Sequence, residues 1–138
     1  MYIWPIRLRG VVKAGVKDTR YTNGEHSDTS SSVVYNLIKS LSLPNVKILQ
    51  GIFPDDTGHE VNQPIALLHC DVDVYQSSKE IVEWALPRMS IGSVIIFDDY
   101  GIYSVDSVKK YVDYLRKNFS NEFTFINNYM GQCILIKK

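Results

Sequence analysis

The feature that most constrains the fold of this chain is an alternation of short apolar runs with segments of helical period. Ile65–Cys70 and Ser93–Phe97 are almost entirely apolar, which is typical of strands covered on both faces of a sheet. Between these two runs, apolar residues recur at helical spacing from Ile81 to Met89. Because strands that alternate with helices form parallel sheets with right-handed crossovers, the sequence predicts an α/β fold.

The complete pattern predicts the order α-β-α-β-α-β-β within one domain that spans residues 1–138. Asp28–Ser30 supplies N-cap residues for the first helix, Ser77 and Ser78 cap the second, and Ile91–Gly92 makes a turn. Residues 1–28 show no period and are expected to be irregular, although a short strand within Met1–Leu8 stays open. The other predicted elements are a strand at Val46–Leu49, a helix from Val105 to Phe119, and an antiparallel hairpin of Phe123–Ile126 and Gln132–Ile136.

The charge balance and the cysteines narrow the class of protein. Fifteen basic and fifteen acidic side chains give a formal net charge of zero, which offers no electrostatic reason to expect nucleic acid or an anionic membrane as a partner. The longest apolar runs fall far short of the ~20 residues that span a bilayer, so we expect a cytosolic protein. Cys70 and Cys133 each lie in an apolar run and are expected to be buried free thiols.

Two acidic pairs mark a candidate site. Asp71 and Asp73 follow one apolar strand, and Asp98 and Asp99 follow the next. Ligands of an open α/β sheet bind outside the carboxyl ends of its strands, and the ends of neighbouring strands lie about 5 Å apart. Four carboxylates at that distance repel one another, and a bound cation relieves the repulsion. Oxygen ligands with His69 as the only nearby histidine favour Mg²⁺ over zinc.

Simpler interpretations compete with this one. A single aspartate at a strand end more often caps a helix or starts a turn, and only the occurrence of two pairs reverses that preference. His69 alternates with Asp71 along the strand, but a hydrogen-bonded core histidine is favoured over a general base. Tyr75 is as well explained by helix packing as by a role in the site.

Three segments, in this order, resemble the macrocin O-methyltransferase (TylF/MycF-type) family. Gly51–Thr57 is similar to a "GxFPDT" loop of that family, Leu68–Ser78 to a "DxDxYxST" segment, and Ile95–Gly101 to a "DDYG" segment. The resemblance extends from about Gly10 to the C-terminus. Each motif alone is weak, and the specificity comes from their order and spacing.

The resemblance implies a class I S-adenosylmethionine (SAM) methyltransferase with a Rossmann-like sheet, mostly parallel with an antiparallel C-terminal hairpin. It implies methyl transfer to a hydroxyl of a sugar or another natural product, with SAM and Mg²⁺ as cofactors. By resemblance, Asp71, Asp98 and Asp99 hold the Mg²⁺, and Asp71 also accepts the hydroxyl proton. His69, Asp73, Tyr75 and Tyr100 are candidates for contacts with the metal or the substrate, and Gly51 and Phe53 are candidates for contacts with the cofactor. From the residues alone, the loop of Phe53 and Pro54 after Gly51 either lines a ligand pocket or only turns the chain.

The sequence departs from that family in its first part. Class I enzymes bind SAM at a glycine-rich turn after the first strand, and no such turn precedes a helix here. The resemblance therefore covers roughly the second half of the fold, and we expect the 138-residue chain to bind SAM weakly or not at all. Loss of the central strands would expose the apolar edge of Ile65–Cys70, which favours a homo-oligomer or pairing with the missing half.

Two other functions stay open at this stage. The chain is either a non-catalytic remnant or a module that works only with a partner that supplies the SAM-binding half. Leu67–Val74 also fits the acidic motif of haloacid-dehalogenase-type phosphatases. The stretch between Asp73 and Asp98 is too short for the other motifs of that fold, so this interpretation is weaker.

Overall fold

The computed structural model of the chain describes residues 2–6, 30–101, 106–128 and 130–138. These residues divide into two compact units. The first unit comprises 2–6 and 30–61, and the second comprises the described residues from 62 onward.

The first unit is a pair of parallel strands with one helix between them in the chain. Strand β1 (Tyr2–Ile6) pairs in parallel with β2 (Val46–Gln50), and helix α1 (Ser31–Ser40) connects the two in sequence. The Oγ of Ser30 accepts a hydrogen bond from the backbone N–H of Val33, so Ser30 is the N-cap of α1, as the sequence predicts. A 3₁₀ turn follows β2 at Gly58–Glu60. The short strand that the sequence leaves open near the N-terminus is therefore present as β1.

The second unit is a four-stranded sheet with two helices. Its elements are β3 (Ile65–Cys70), α2 (Tyr75–Ala85), β4 (Met89–Phe97), α3 (Asp106–Asn118), β5 (Phe123–Asn127) and β6 (Cys133–Lys137). The strand order is β3-β4-β6-β5, with β3 and β4 parallel and the other two neighbouring pairs antiparallel. The predicted α/β class and the antiparallel C-terminal hairpin are confirmed.

The core of the second unit lies where the apolar stripes of its helices meet each other and the sheet. Helix α2 contacts α3 and β3. Burying each large apolar side chain stabilises the unit by about 1.5–3 kcal/mol, so this layer holds the sheet in place. Its members are almost fully buried: Ile81, Val82, Ala85, Ile95, Phe97, Val108, Tyr111, Val112, Leu115, Phe123, Cys133 and Leu135.

Helix α2 begins earlier than the sequence predicts. It starts at Tyr75, and its N-cap residue, Val74, makes no side-chain cap hydrogen bond. The prediction that Ser77 and Ser78 cap this helix is wrong, because both lie inside it and are buried. The hydroxyl of Ser78 donates to the carbonyl of Val74 at 3.0 Å, which satisfies the buried hydroxyl group within the helix.

The start of β4 also differs from the prediction. The strand begins at Met89 and runs through Ile91 and Gly92, where the sequence predicts a helix end and a turn. The pairing with β3 shifts register between Ile65 and Leu67, and Gly92 has a φ of +84°. An irregular strand pair accommodates the glycine without ending the strand, as β-bulges do.

The expectation that both long apolar strands are covered on both faces is wrong for β3. Ala66 and Leu67 are exposed, and Leu67 retains 53% of its accessible surface. β3 is the first strand of the four-stranded sheet and has β4 as its partner within that sheet, so it occupies an edge. Cys70 and Cys133 are buried free thiols, as predicted. Among the described helices, none has the length and hydropathy that a bilayer crossing requires.

Candidate metal site

The candidate site lies at the carboxyl ends of β3 and β4, inside the second unit. The two strands run in parallel, with Cys70 opposite Phe97 at their ends. The backbone N–H of Asp98 donates to the carbonyl oxygen of Cys70 at 3.1 Å, so the ladder continues past the last paired residues. The structure thus confirms that the two strands end side by side, which places Asp71 and Asp98 at adjacent positions.

Three aspartates bring their carboxylates together at this edge. Oxygen atoms of Asp71, Asp73 and Asp99 all lie within 4.8 Å of one another. Asp71 is exposed, and the other two are partly buried. Asp73 and Asp99 have φ angles of +52° and +58°, in the left-handed region that aspartate tolerates better than most residues. These backbone turns direct side chains from two different loops toward one point.

The electrostatics of this group, called here the acidic cluster (Asp71, Asp73 and Asp99), show the effect of the crowding. The pKa of Asp99 is raised to about 7; burial is the largest cause, followed by a hydrogen bond with Asp73 and by the charges of Asp73, Asp98 and Asp71. Carboxyl groups this close cannot all ionise at neutral pH without a counter-charge. A divalent cation would supply that charge. The donor set of hard carboxylate oxygens fits Mg²⁺ or a similar ion.

Asp98 lies beside the acidic cluster and has its own partners. Its Oδ1 accepts hydrogen bonds from the backbone N–H of Asp99 and from Nε2 of Gln132, each at 3.2 Å. Its Oδ2 lies 4.0 Å from Nε2 of His69. The preference for a core histidine at position 69 is wrong, because His69 is exposed at the end of the edge strand β3. Of the ligands that the resemblance implies, the structure therefore groups Asp71 and Asp99 with Asp73, and it places Asp98 next to them against the histidine.

Comparison with known proteins identifies the family. The sequence profile described as Macrocin-O-methyltransferase (TylF) matches residues 15–129, which is most of the chain. The chain belongs to this family.

One curated protein aligns with part of the chain. It is the 8-demethyl-8-(2,3-dimethoxy-alpha-L-rhamnosyl)-tetracenomycin-C 4'-O-methyltransferase of Streptomyces olivaceus, with 35% identity over 57 residues. The alignment covers 41% of this chain and 22% of the relative.

Solved structures of O-methyltransferases share the fold. The O-methyltransferase NovP superposes with a TM-score of 0.78 at 21% identity, over 99% of this chain and 59% of NovP. An O-methyltransferase from Bacillus cereus in complex with SAH gives a TM-score of 0.59 at 17% identity, over 80% of this chain and 60% of that protein. The chain thus spans about three fifths of the length of these structural relatives and a smaller share of the curated one.

The two tyrosines singled out in this macrocin O-methyltransferase family member have packing and hydrogen-bond partners. Tyr75 begins α2, and its ring meets that of Tyr111 edge to face, with 5.3 Å between centroids. The hydroxyl of Tyr100 donates to Oδ1 of Asp113 in α3 at 2.9 Å. Both tyrosines therefore tie the loops of the acidic cluster to the helices behind them.

Gly51 and Phe53, the candidates for contacts with the cofactor, belong to the first unit. They form a turn after β2 in which the backbone N–H of Ile52 donates to Oδ2 of Asp56 at 2.8 Å. Gly51 has a φ of +151°, and a Cβ there would lie 3.0 Å from the Cβ of Asp56. Glycine is required at this position by the tight turn itself.

Sequence reasoning missed two residues that support the site, one by direct contact with Asp98 and one through the first. Gln132 donates to Asp98, and Asn128 donates in turn to Gln132, with Nδ2 and Oε1 separated by 2.7 Å. Both lie in the turn between β5 and β6. A polar turn between two strands carries no signal of such a role, because its contact to Asp98 depends on β6 lying next to β4.

Proposed function

We propose that this chain carries the metal-binding and acceptor-binding part of an O-methyl transfer. SAM is the methyl donor, and a hydroxyl of a sugar or another natural product is the acceptor. One observation carries the proposal: a member of the macrocin O-methyltransferase family has three carboxylates within 4.8 Å at the carboxyl ends of two parallel strands. The rhamnosyl compound named for the curated relative supports a sugar acceptor, and the SAH complex of the Bacillus cereus protein supports the donor.

The acidic cluster is the proposed Mg²⁺ site. Asp71 and Asp99 contribute two ligands, and either Asp98, as the resemblance implies, or Asp73, as the grouping of oxygens favours, contributes a third. Bound Mg²⁺ would lower the pKa of an acceptor hydroxyl and orient its oxygen toward the donor methyl group.

The side chains of the acidic cluster have different proposed roles. Asp71 is the most exposed carboxylate of the cluster, so we assign to it the acceptance of the hydroxyl proton. Asp73 and Asp99 are held by left-handed backbone turns, which fix their carboxylates before any ligand arrives. Such fixed geometry is worth a large share of the rate in a reaction that depends on positioning.

The test is a calorimetric titration of the 138-residue chain with Mn²⁺, followed by competition with Mg²⁺. We expect Asp71→Asn and Asp99→Asn to weaken Mn²⁺ binding by more than about 100-fold. This loss exceeds the roughly 10- to 100-fold loss that is usual when only a hydrogen-bond partner of a metal ligand is removed. Asp73→Asn and Asp98→Asn decide the third ligand, because the variant of the true ligand will lose as much affinity. Glu122→Gln, the equivalent change at an exposed position before β5, is the matched control, because it lies at the opposite end of β5 from the turn that reaches Asp98. We expect it to leave the Mn²⁺ affinity unchanged. Wild-type protein that binds no Mn²⁺ would refute the metal site.

The methyl donor is tested separately. Because the chain has no glycine-rich turn before a helix, we propose that these 138 residues alone bind SAM weakly. Calorimetry that found micromolar SAM binding would contradict this part of the proposal. Transfer of a labelled methyl group from SAM to a rhamnoside is the activity assay, and family membership favours this reaction over the phosphate-ester hydrolysis considered from sequence.

A further inference from the structure

The turn between β5 and β6 is connected to the candidate site by a chain of side-chain hydrogen bonds. Asn128 Nδ2 donates to Gln132 Oε1 at 2.7 Å, and Gln132 Nε2 donates to Asp98 Oδ1 at 3.2 Å. All three side chains are partly buried. A residue of the turn thus reaches directly to one of the carboxylates at the mouth of the site.

The direction of donation along this series of hydrogen bonds is fixed at Asn128, the end farthest from Asp98. Asn128 Oδ1 accepts from the backbone N–H groups of Met130 and Gln132, at 3.0 and 2.9 Å. Because backbone N–H groups only donate, the oxygen of the Asn128 amide must face them, and its nitrogen must face Gln132. Gln132 is then obliged to present its oxygen to Asn128 and its nitrogen to Asp98. The turn geometry therefore determines which end of Gln132 meets the carboxylate.

A main-chain contact holds the turn against the same loop. The backbone N–H of Gly101 donates to the carbonyl oxygen of Gly131 at 3.2 Å, three residues after Asp98. A Cβ at Gly101 would lie 3.3 Å from the Cα of Gly131, so the two backbones approach closely. The turn and the Asp98–Gly101 loop are consequently joined by one backbone and one side-chain hydrogen bond.

We propose that Gln132 is a positioning residue for the metal site, and that Asn128 sets the orientation in which it acts. Gln132 fixes Oδ1 of Asp98, together with the backbone N–H of Asp99, and so turns Oδ2 toward His69 at the mouth of the site. A carboxylate held in one rotamer binds a cation with less loss of entropy than a mobile one. This inference rests on the proposed function, because it takes the acidic residues at this edge to bind a cation.

The experiment titrates Mn²⁺ alone into the 138-residue chain and its variants by calorimetry, with Tm measured on each. Gln132→Met keeps the length of the side chain and removes the donor, and Gln132→Glu also sets a carboxylate against Asp98. We expect the Mn²⁺ affinity to fall by about 10-fold in the first and toward about 100-fold in the second, the range seen when a partner of a metal ligand is lost.

Asn128→Asp tests the proposed polarity without touching the site. An aspartate at 128 can still accept from the two backbone N–H groups, but it cannot donate to Gln132, whose amide then rotates to donate to the new carboxylate. Rotation brings Oε1 of Gln132 against Asp98, so we expect this variant to lose Mn²⁺ affinity about as much as Gln132→Met does.

The matched control is Gln63→Glu. Gln63 is exposed and lies before β3, which separates it from the acidic cluster by roughly 20 Å of strand, beyond the ~10 Å over which exposed charges act in 0.1 M salt. The Gln63→Glu variant adds the same charge as Gln132→Glu, and we expect its Mn²⁺ affinity to equal that of the wild-type chain.

The outcomes separate the two proposals. If the wild-type chain binds Mn²⁺ and the three variants of the turn bind it equally well, the positioning role is refuted while the metal site stands. If the wild-type chain binds no Mn²⁺, the proposed metal function fails, and the role of Gln132 fails with it. A loss of affinity that follows the fall in Tm and occurs equally in Gln63→Glu would show a general effect of stability or charge and would also refute the role.

Discussion

Replacing Asp99 with asparagine should stabilise the metal-free chain at neutral pH. Burial, a hydrogen bond with Asp73 and the charges of neighbouring aspartates raise the pKa of Asp99 to about 7. Because the pKa is raised in the folded state, the folded chain holds this proton more tightly than the unfolded chain does. Stability therefore falls as the pH rises from about 4 to about 7 and is constant with respect to this group above that range. Asparagine does not ionise and avoids the cost.

The size of the effect follows from the two pKa values. The difference between about 7 and the ordinary value of 3.8 corresponds to an upper limit of about 4 kcal/mol. Asp99 is only partly buried, and solvent screening reduces the expected gain to about 1–2 kcal/mol. In a chain of this length, that gain raises Tm by roughly 3–8 °C at pH 8. At pH 5, proton linkage predicts that less than about half of this stabilisation remains.

The assay is thermal unfolding followed by circular dichroism, in a chelator, at pH 5 and pH 8. Glu122→Gln removes one carboxylate charge from an exposed position before β5 and should leave Tm unchanged at both pH values. Added Mg²⁺ should raise Tm for the wild-type chain at pH 8 and have little effect on Asp99→Asn. A variant that is less stable than wild type at pH 8, or equally stabilised at pH 5 and pH 8, would refute the reasoning.

Three further predictions concern residues outside the acidic cluster. Burial alone would raise the pKa of Asp113, but hydrogen bonds from Lys109 and Tyr100 hold it below its usual value. Asp113→Asn should therefore lower the free energy of unfolding by about 0.5–1 kcal/mol at pH 7, after solvent screening is taken into account. This loss should vanish as the pH falls below about 4, as measured by urea unfolding. Burial raises the pKa of Cys70 to about 12, and its thiol should therefore resist an aromatic disulfide reagent at pH 8 until the chain is unfolded; stoichiometric reaction in native buffer would contradict this. Gly101→Ala places a methyl group 3.3 Å from the Cα of Gly131 and should cost about 1 kcal/mol by urea unfolding, whereas an unchanged midpoint would show that the two backbones separate freely.

Periodicity predicted most of the fold, because α2 and α3 each bury one stripe, and buried residues alternate along the end of β4 and the start of β6. The boundary between α2 and β4 could not be predicted in this way. Apolar side chains continue through Leu86, Met89 and Ile91, so the pattern itself contains no break there. The chain changes from helix to strand through a 3₁₀ turn at Leu86–Arg88, which is fixed by tertiary contacts such as those from Lys137 Nζ to the carbonyls of Leu86 and Met89. Local spacing contains no information about that lysine.

The candidate site was predictable in location and less so in detail. The rule that strand ends meet at one edge located both acidic pairs correctly, because it depends only on β3 and β4 being parallel neighbours. Which oxygens come together depends on backbone dihedrals instead. Asp73 joins Asp71 and Asp99 because two of the three adopt left-handed conformations, which the sequence does not specify for aspartate. Gln132 was not found, because its contact with Asp98 is set by the sheet order.

The position of β6 has a consequence for how this site forms during synthesis. Of the four strands of this sheet, Cys133–Lys137 is synthesised after the other three, yet it inserts between β4 and β5. Until it is made, β4 has an unpaired side and the turn that reaches Asp98 does not exist. Such distant pairing is slow and leaves apolar strand edges accessible to other nascent chains. Ribosome stalling before these codons would therefore yield a product in which the aspartates are present but unsupported.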